Sequence, residues 1–336
     1  MAMSVYFYFL LLFISILSFV LSYFFTIALE GVLRKEGKTV PDVHKREKPM
    51  VPRPGGPAIF ISLLIPALIL FLLNGDRRIL GVLILASMGF LIGLYDDFKK
   101  LGGKEKVLLL TLPGIALVLS GIYFPKPILP FIGVTRLTII YPVLLILAST
   151  IVANGVNMID IFNGLVSSVM MISTIPILLA SIMRNDLTLA FLSVIFLCSL
   201  AGFLLRHRYP SRIFPGDSGA MLMGLFYLGL VVEGRMEVIG IVALLPVILN
   251  GFLILSTIGG FIEHSNIAKR PVSVILREEG EPLLISSKEE GAPITLTRLV
   301  VSREGLTERD VVVNIILLSI FSSILAIATI FIGELA

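Results

Sequence analysis

Acidic and amide side chains gather in three short stretches of the 336-residue chain. GLYDDFKKLGGKEK (93–106) holds the adjacent Asp96 and Asp97, with Lys104 and Lys106 behind them. NGVNMIDIFNG (154–164) holds Asn154, Asn157, Asp160 and Asn163, and FPGDSGA (214–220) holds Asp217. Carboxylate and amide oxygens are ligands for hard cations such as Mg²⁺ and Mn²⁺, which keep other positions for water and phosphates. Lysines beside such a site neutralise phosphate oxygens. The set equips a chain for metal-assisted phosphoryl transfer, a reaction carried by positioning and charge neutralisation.

Each residue also has a simpler reading. Neighbours on a helix point about 100° apart, so Asp96 and Asp97 should differ in role, one facing a metal or substrate and the other orienting a lysine. They could instead be a solvated helix end balanced by Lys99 and Lys100, although the helix dipole opposes acids there. Asn154, Asn157 and Asp160 recur every third residue and share one helical face; Asn154 could serve helix–helix hydrogen bonding alone. Asn163-Gly164 is a turn signal. After the Pro215-Gly216 turn, Asp217 or Ser218 could cap a helix. Lys106 could snorkel at an interface. His264, Lys269 and Arg270 together suit a diphosphate, whereas His207, in RHRYPSR, reads as a surface residue. The first polar loop carries seven basic residues and three acids between 34 and 53, a balance that suits anionic lipid or a lipid phosphate.

The elements that must position these groups are membrane helices. Hydrophobic residues make up 57% of the chain and charged ones 15%, and the mean hydropathy is +1.01; soluble domains are far less apolar. The single cysteine, Cys198, excludes an intramolecular disulfide and reads as a small buried hydrophobe. The N-terminal apolar run lacks a basic n-region and reads as a first span rather than a signal peptide. Nothing suggests a nucleic-acid partner.

A crossing helix needs about 20 apolar residues. Ten segments qualify: 5–30, 57–74, 79–95, 106–123, 137–158, 164–183, 187–205, 218–233, 237–260 and 311–333. The fold expected is an all-α polytopic membrane protein of about ten transmembrane helices. A helical region spans 1–260, a small β-rich insertion spans 261–310, and the last helix lies in 311–336. In the insertion VSVIL, PLLIS and ITLTRLVVS have β character, and LTERD starts a helix with Thr307 as N-cap. Alternating loops place 21 of the 27 Lys and Arg residues on one side, together with every clustered polar motif. By the positive-inside rule that side is cytoplasmic.

LYDDFKKL, NGVNMIDIFNGL and FPGDSG, in this order and each at a helix end on the basic side, resemble the polyprenyl-phosphate N-acetylhexosamine-1-phosphate transferases. GKEKVLLLTLPG and the β-rich insertion are more similar to the dolichyl-phosphate GlcNAc-1-phosphotransferase branch than to the bacterial ones, whose multi-histidine signature is absent. The resemblance implies transfer of GlcNAc-1-phosphate from UDP-GlcNAc to a polyprenyl or dolichyl phosphate, with release of UMP. It implies Mg²⁺ (or Mn²⁺) on Asn157 and Asp217, Asp96 and Asp97 as an acidic pair, and Lys106 on a phosphate. It implies Asn163 at the uridine, Asn154 and Asp160 near substrate, and His264, Lys269 and Arg270 at the donor diphosphate and sugar. A related transferase using another UDP-HexNAc for cell-wall or surface polysaccharide is an alternative, and a membrane transporter is one of a different class. Transporter sites usually lie in broken helices near mid-membrane, whereas these polar groups lie at helix ends. The membrane expected is an archaeal-type prokaryotic plasma membrane, otherwise an ER-type one. The sequence leaves a homodimer open.

Overall fold

Lipid offers the backbone no hydrogen-bond partner, so long apolar runs fold as helices. The computed structural model describes residues 2–129, 132–258, 270–277 and 280–334. Among them seven helices are long and apolar enough to cross a membrane. They lie in α1 (Ala2–Lys35), α2 (Gly56–Asn74), α3 (Arg78–Lys99), α6 (Ile140–Ile159), α7 (Leu165–Met183), α8 (Leu187–His207) and α13 (Glu308–Glu334). One pair, α10 (Glu237–Ala243) and α11 (Leu245–Ile258), is long and apolar enough only when taken together, and it is bent by 69°. This is a multi-pass, mostly helical membrane protein.

The ten expected spans are therefore not ten continuous crossing helices. The fourth segment breaks at Leu110-Thr111 into α4 (Gly103–Leu109) and α5 (Leu112–Ser120), where Pro113 opens the second piece. The ninth breaks at Leu244, just before Pro246. Proline lacks the N–H an unbroken helix needs. The eighth, α9 (Gly216–Glu233), has 18 residues with Asp217 and Glu233 near its ends, and it is buried from Ser218 onward. It is the centre of the bundle rather than a lipid-facing span.

Close approach of α3 to α9 depends on small residues. Gly89 and Gly93 of α3 form a GxxxG pair, the spacing that lets membrane helices touch backbone to backbone. A Cβ on Gly93 would lie 2.5 Å from the Asp217 carbonyl oxygen, and one on Gly89 3.0 Å from that of Met221. On the other flank, hydroxyls join α1, α2 and α8: Ser18 donates to the carbonyls of Ser62 and Ile195, and Ser22 to that of Ser199.

The polar loops carry small hairpins: β1 (Thr39–Pro41) with β2 (Met50–Pro52), β3 (Ile128–Leu129) with β4 (Gly133–Val134), and β5 (Val272–Ile275) with β6 (Leu283–Ser286), all antiparallel. The last pair falls on the VSVIL and PLLIS runs. ITLTRLVVS does not continue the sheet. It folds as α12 (Leu296–Val300), because the Thr295 side chain accepts from the Arg298 N–H and starts a helix instead. Thr307 caps α13 as its sequence suggests, its Oγ1 accepting from the Asp310 N–H at 3.3 Å. His207 is not a surface residue. It is fully buried at the end of α8, with Nδ1 3.0 Å from Ser167 Oγ. Cys198 is half-buried rather than in the core.

Candidate active site

A cavity of about 660 Å³ opens at one end of the bundle. The C-terminal ends of α3, α6 and α11, the N-terminal ends of α4 and α9, and the first polar loop line it. Asp96, Asp97, Lys106, Asn154, Asn157, Asp160 and Asp217 all reach it. The three motifs thus converge on one site, and the every-third-residue stripe of α6 faces it.

Within the site the acids have separate tasks. Asp97 binds the N-terminus of α9: its two oxygens accept from the backbone N–H of Asp217 and of Ser218, each at 2.9 Å. Neither Asp217 nor Ser218 caps its own helix; the cap comes from α3. Gly216 makes room for it, with φ of +74° and an ideal Cβ position only 2.7 Å from Asp97 Oδ1. Asp96 accepts from the Leu101 N–H at 2.7 Å, which fixes the end of α3, and holds the Lys106 ammonium at 2.6 Å. Asp96 is therefore the member of the pair that orients a lysine. Lys106 also donates to Asp217 Oδ1 at 3.0 Å.

Arg53 is the group that motif reading missed. It follows β2 and bonds Asp217 Oδ2 while standing 3.1 Å from Asp97 Oδ1. Backbone bonds strap its loop to the α8–α9 connection: Phe214 N–H to the Pro52 carbonyl, Gly55 N–H to that of Phe214, and Gly56 N–H to that of Pro215. Burial alone would lower the Arg53 pKa, but Asp217, Asp97 and Asp160 raise it above the usual value. The side chain of Asp160, just past α6, makes no hydrogen bond or ion pair with another described residue. Burial pushes its carboxyl up to about 8; Arg53 opposes that shift, and Asp217 and Asp97 add to it.

Four acids and four basic side chains, Lys38, Arg53, Lys100 and Lys106, line the cavity. The unbonded Asp160 oxygens, with the Asn157 amide against Asp217, fit a hard divalent cation. Mg²⁺ and Mn²⁺ prefer such an oxygen set.

Asn163 is placed differently. It is 3% exposed and does not line the cavity. Its Nδ2 donates to Asp42 Oδ2 at 3.0 Å and to Glu308 Oε1 at 2.5 Å, and its Oδ1 accepts from the Ser211 N–H at 2.6 Å. Lys45 pairs with Glu308, and its ammonium lies 3.7 Å from the centre of the Tyr209 ring. His44 packs on Phe162 with ring centres 4.8 Å apart. This buried knot joins the first loop, the α6–α7 turn and the start of α13. Gly164, at φ +76°, makes that turn. Arg270 is exposed and away from the cavity wall. His264 and Lys269 lie outside the described residues.

Residues 79–235, which carry all three motifs, match the model of glycosyl transferase family 4. The chain is 33% identical over 261 residues to the phospho-N-acetylmuramoyl-pentapeptide-transferase of Acetivibrio thermocellus, covering 69% of this chain and 74% of that one. It is 29% identical over 286 residues to a protein of Methanocaldococcus jannaschii named a putative glycosyltransferase, covering 85% and 86%. A Saccharolobus solfataricus protein named a putative UDP-N-acetylglucosamine–dolichyl-phosphate N-acetylglucosaminephosphotransferase is 26% identical over 249 residues, covering 72% and 77%. With the three motifs gathered on one cavity and two thirds of the chain aligned at this identity, the chain belongs to glycosyl transferase family 4, the family of the polyprenyl-phosphate N-acetylhexosamine-1-phosphate transferases.

Proposed function

We propose that the chain transfers GlcNAc-1-phosphate from UDP-GlcNAc to a polyprenyl or dolichyl phosphate, as the name of the Saccharolobus relative describes for that protein. The observation that carries this reading is the mixed lining of the cavity. One set of lining residues is charged, Asp96, Asp97, Asp160, Asp217, Lys106 and Arg53, and another is apolar, Phe98, Val107, Ile254 and Leu255. A water-soluble diphosphate suits the first and a lipid the second.

In the reaction an oxygen of the lipid phosphate attacks the β-phosphorus of the donor. The bond from that phosphorus to the bridging oxygen breaks, and UMP leaves with the oxygen. Asp217 and Asn157, with Asp160 facing the same space, are the residues that would hold Mg²⁺ or Mn²⁺. An ion bound there would screen the charge of the diphosphate. Lys106, fixed between Asp96 and Asp217, presents a cation to the transferring phosphoryl group. Asp96 and Asp97 set the positions of Lys106 and Asp217. The basic side of the chain, and with it the cavity, faces the cytoplasm of a prokaryotic, archaeal-type membrane in this reading.

Purified protein in detergent is expected to release UMP from UDP-GlcNAc only with both a divalent cation and a polyprenyl phosphate. A panel of UDP-HexNAc donors identifies the sugar. Absence of UMP from every donor would overturn the proposal, and uptake into vesicles without UMP would favour a transporter.

A further inference from the structure

Both oxygens of Asp217 are held by protein cations, and the two cations differ in exposure. Lys106 takes Oδ1 and is tied a second time to Asp96, and its side chain is 15% exposed. Arg53 takes Oδ2 from a loop position and also stands 3.1 Å from Asp97 Oδ1, but its side chain is 36% exposed and open to the cavity. A divalent cation reaching Asp217 must displace one of them. Arg53 is the one with space to move into. A guanidinium released at this wall carries a planar fork of donors, the geometry that fits phosphate oxygens.

We propose that Arg53 couples cation binding to diphosphate binding. Without substrate it competes with the divalent cation for Asp217. With the cation in place it turns to grip a phosphate oxygen of the nucleotide diphosphate. The inference rests on the reading of Asp217 as a metal ligand. Its consequence is positive coupling: UDP strengthens cation binding by giving Arg53 another partner, and the cation strengthens UDP binding by releasing Arg53.

The test uses the full chain in detergent, with Mn²⁺ binding followed by electron paramagnetic resonance and UDP as the diphosphate probe. Asp217→Asn is the control for the underlying reading. If it binds Mn²⁺ as the wild type does, the metal assignment fails, whatever Arg53 does. With that control passed, Arg53→Gln is expected to bind Mn²⁺ alone about tenfold tighter and UDP at saturating Mn²⁺ about tenfold more weakly, an ordinary size for coupling between sites. Unchanged or weaker Mn²⁺ binding overturns the competition, and unchanged UDP binding overturns the phosphate contact. Arg53→Lys keeps the charge without the fork. It should hold Mn²⁺ near the wild-type affinity yet lose most of the mutual strengthening by UDP. If Arg53→Gln does not fold, full coupling retained in Arg53→Lys overturns the proposal.

Discussion

The Asp97 carboxylate caps α9 at Asp217, accepting the N–H groups of Asp217 and Ser218 at 2.9 Å each. A side chain at the end of one helix thus fixes where another helix starts and where its acid points. Removing a helix cap costs about 0.5–2 kcal/mol. Asp97→Ala should therefore lower the melting temperature and also weaken Mn²⁺ binding, because Asp217 is no longer held in place. Asp97→Asn keeps one acceptor oxygen and should recover part of the melting temperature. Thermal unfolding in detergent beside a Mn²⁺ titration checks both.

The α3–α9 contact should tolerate no added methyl group at Gly93. The new Cβ would sit 2.5 Å from the Asp217 carbonyl oxygen, and backbone cannot rotate away as a side chain can. Overpacking of this kind costs about 1–3 kcal/mol, and here it also pushes the acid pair away from Asp217. Gly93→Ala is expected to lose both stability and UMP release. Gly251→Ala on α11 is the control, since nothing lies within 4 Å of its Cβ position. It should match the wild type in both measurements.

Asn163 gives a prediction that separates a nucleoside contact from a structural knot. All of its side-chain hydrogen-bonding atoms are engaged by Asp42, Glu308 and the Ser211 N–H. Truncation leaves two buried carboxylates short of a donor, a loss of about 1–3 kcal/mol. Asn163→Ala should lower the melting temperature. Asn163→Asp should lower it further, by setting a third carboxylate against the first two. Were the residue a uridine contact only, the alanine variant would raise KM for the donor at unchanged stability.

The contrast between Asn157 and Asn163 bears on what the sequence discloses. Periodicity along α6 is local, so it correctly brings Asn154, Asn157 and Asp160 to one wall. Asn163 lies past the helix end, where the turn at Gly164 redirects the chain and spacing no longer predicts direction. Arg53 was hidden for a related reason: its partners are 44 and 164 residues away, in helices that only the assembled bundle brings near it. Hydropathy located all ten apolar segments but not the breaks at Leu110 and Leu244, because breaks barely alter a running average. The charged neighbours of His207 suggest a surface residue, while its own ring packs inward on Phe203 and Ser167.

His44 supplies a pH dependence. Burial lowers its pKa, with help from Lys45 and Arg270, against the pull of Glu308 and Asp42. Unfolded, the imidazole titrates near 6.5. Between that value and the lower folded one, the unfolded chain binds more protons, so stability falls as pH drops below about 6.5. Melting temperatures measured at successive pH values should show this decline in the wild type. In His44→Gln the decline should be shallower, and an identical profile would rule the imidazole out as its source.

Asp160 decides between one displacement and two. Asp96, Asp97 and Asp217 all have carboxylate oxygens bonded to backbone N–H groups or cations, so a covalent route would have to use Asp160, the acid left unbonded. Burial has pushed its carboxyl up to about 8. Near neutral pH it is therefore largely protonated without a cation, and a protonated carboxyl is a poor nucleophile. Incubation with UDP-GlcNAc and no lipid phosphate should give neither stoichiometric UMP nor a mass increase on the protein. A GlcNAc-phosphate adduct on the wild type that is missing from Asp160→Asn would replace direct attack by the lipid phosphate with a two-step transfer.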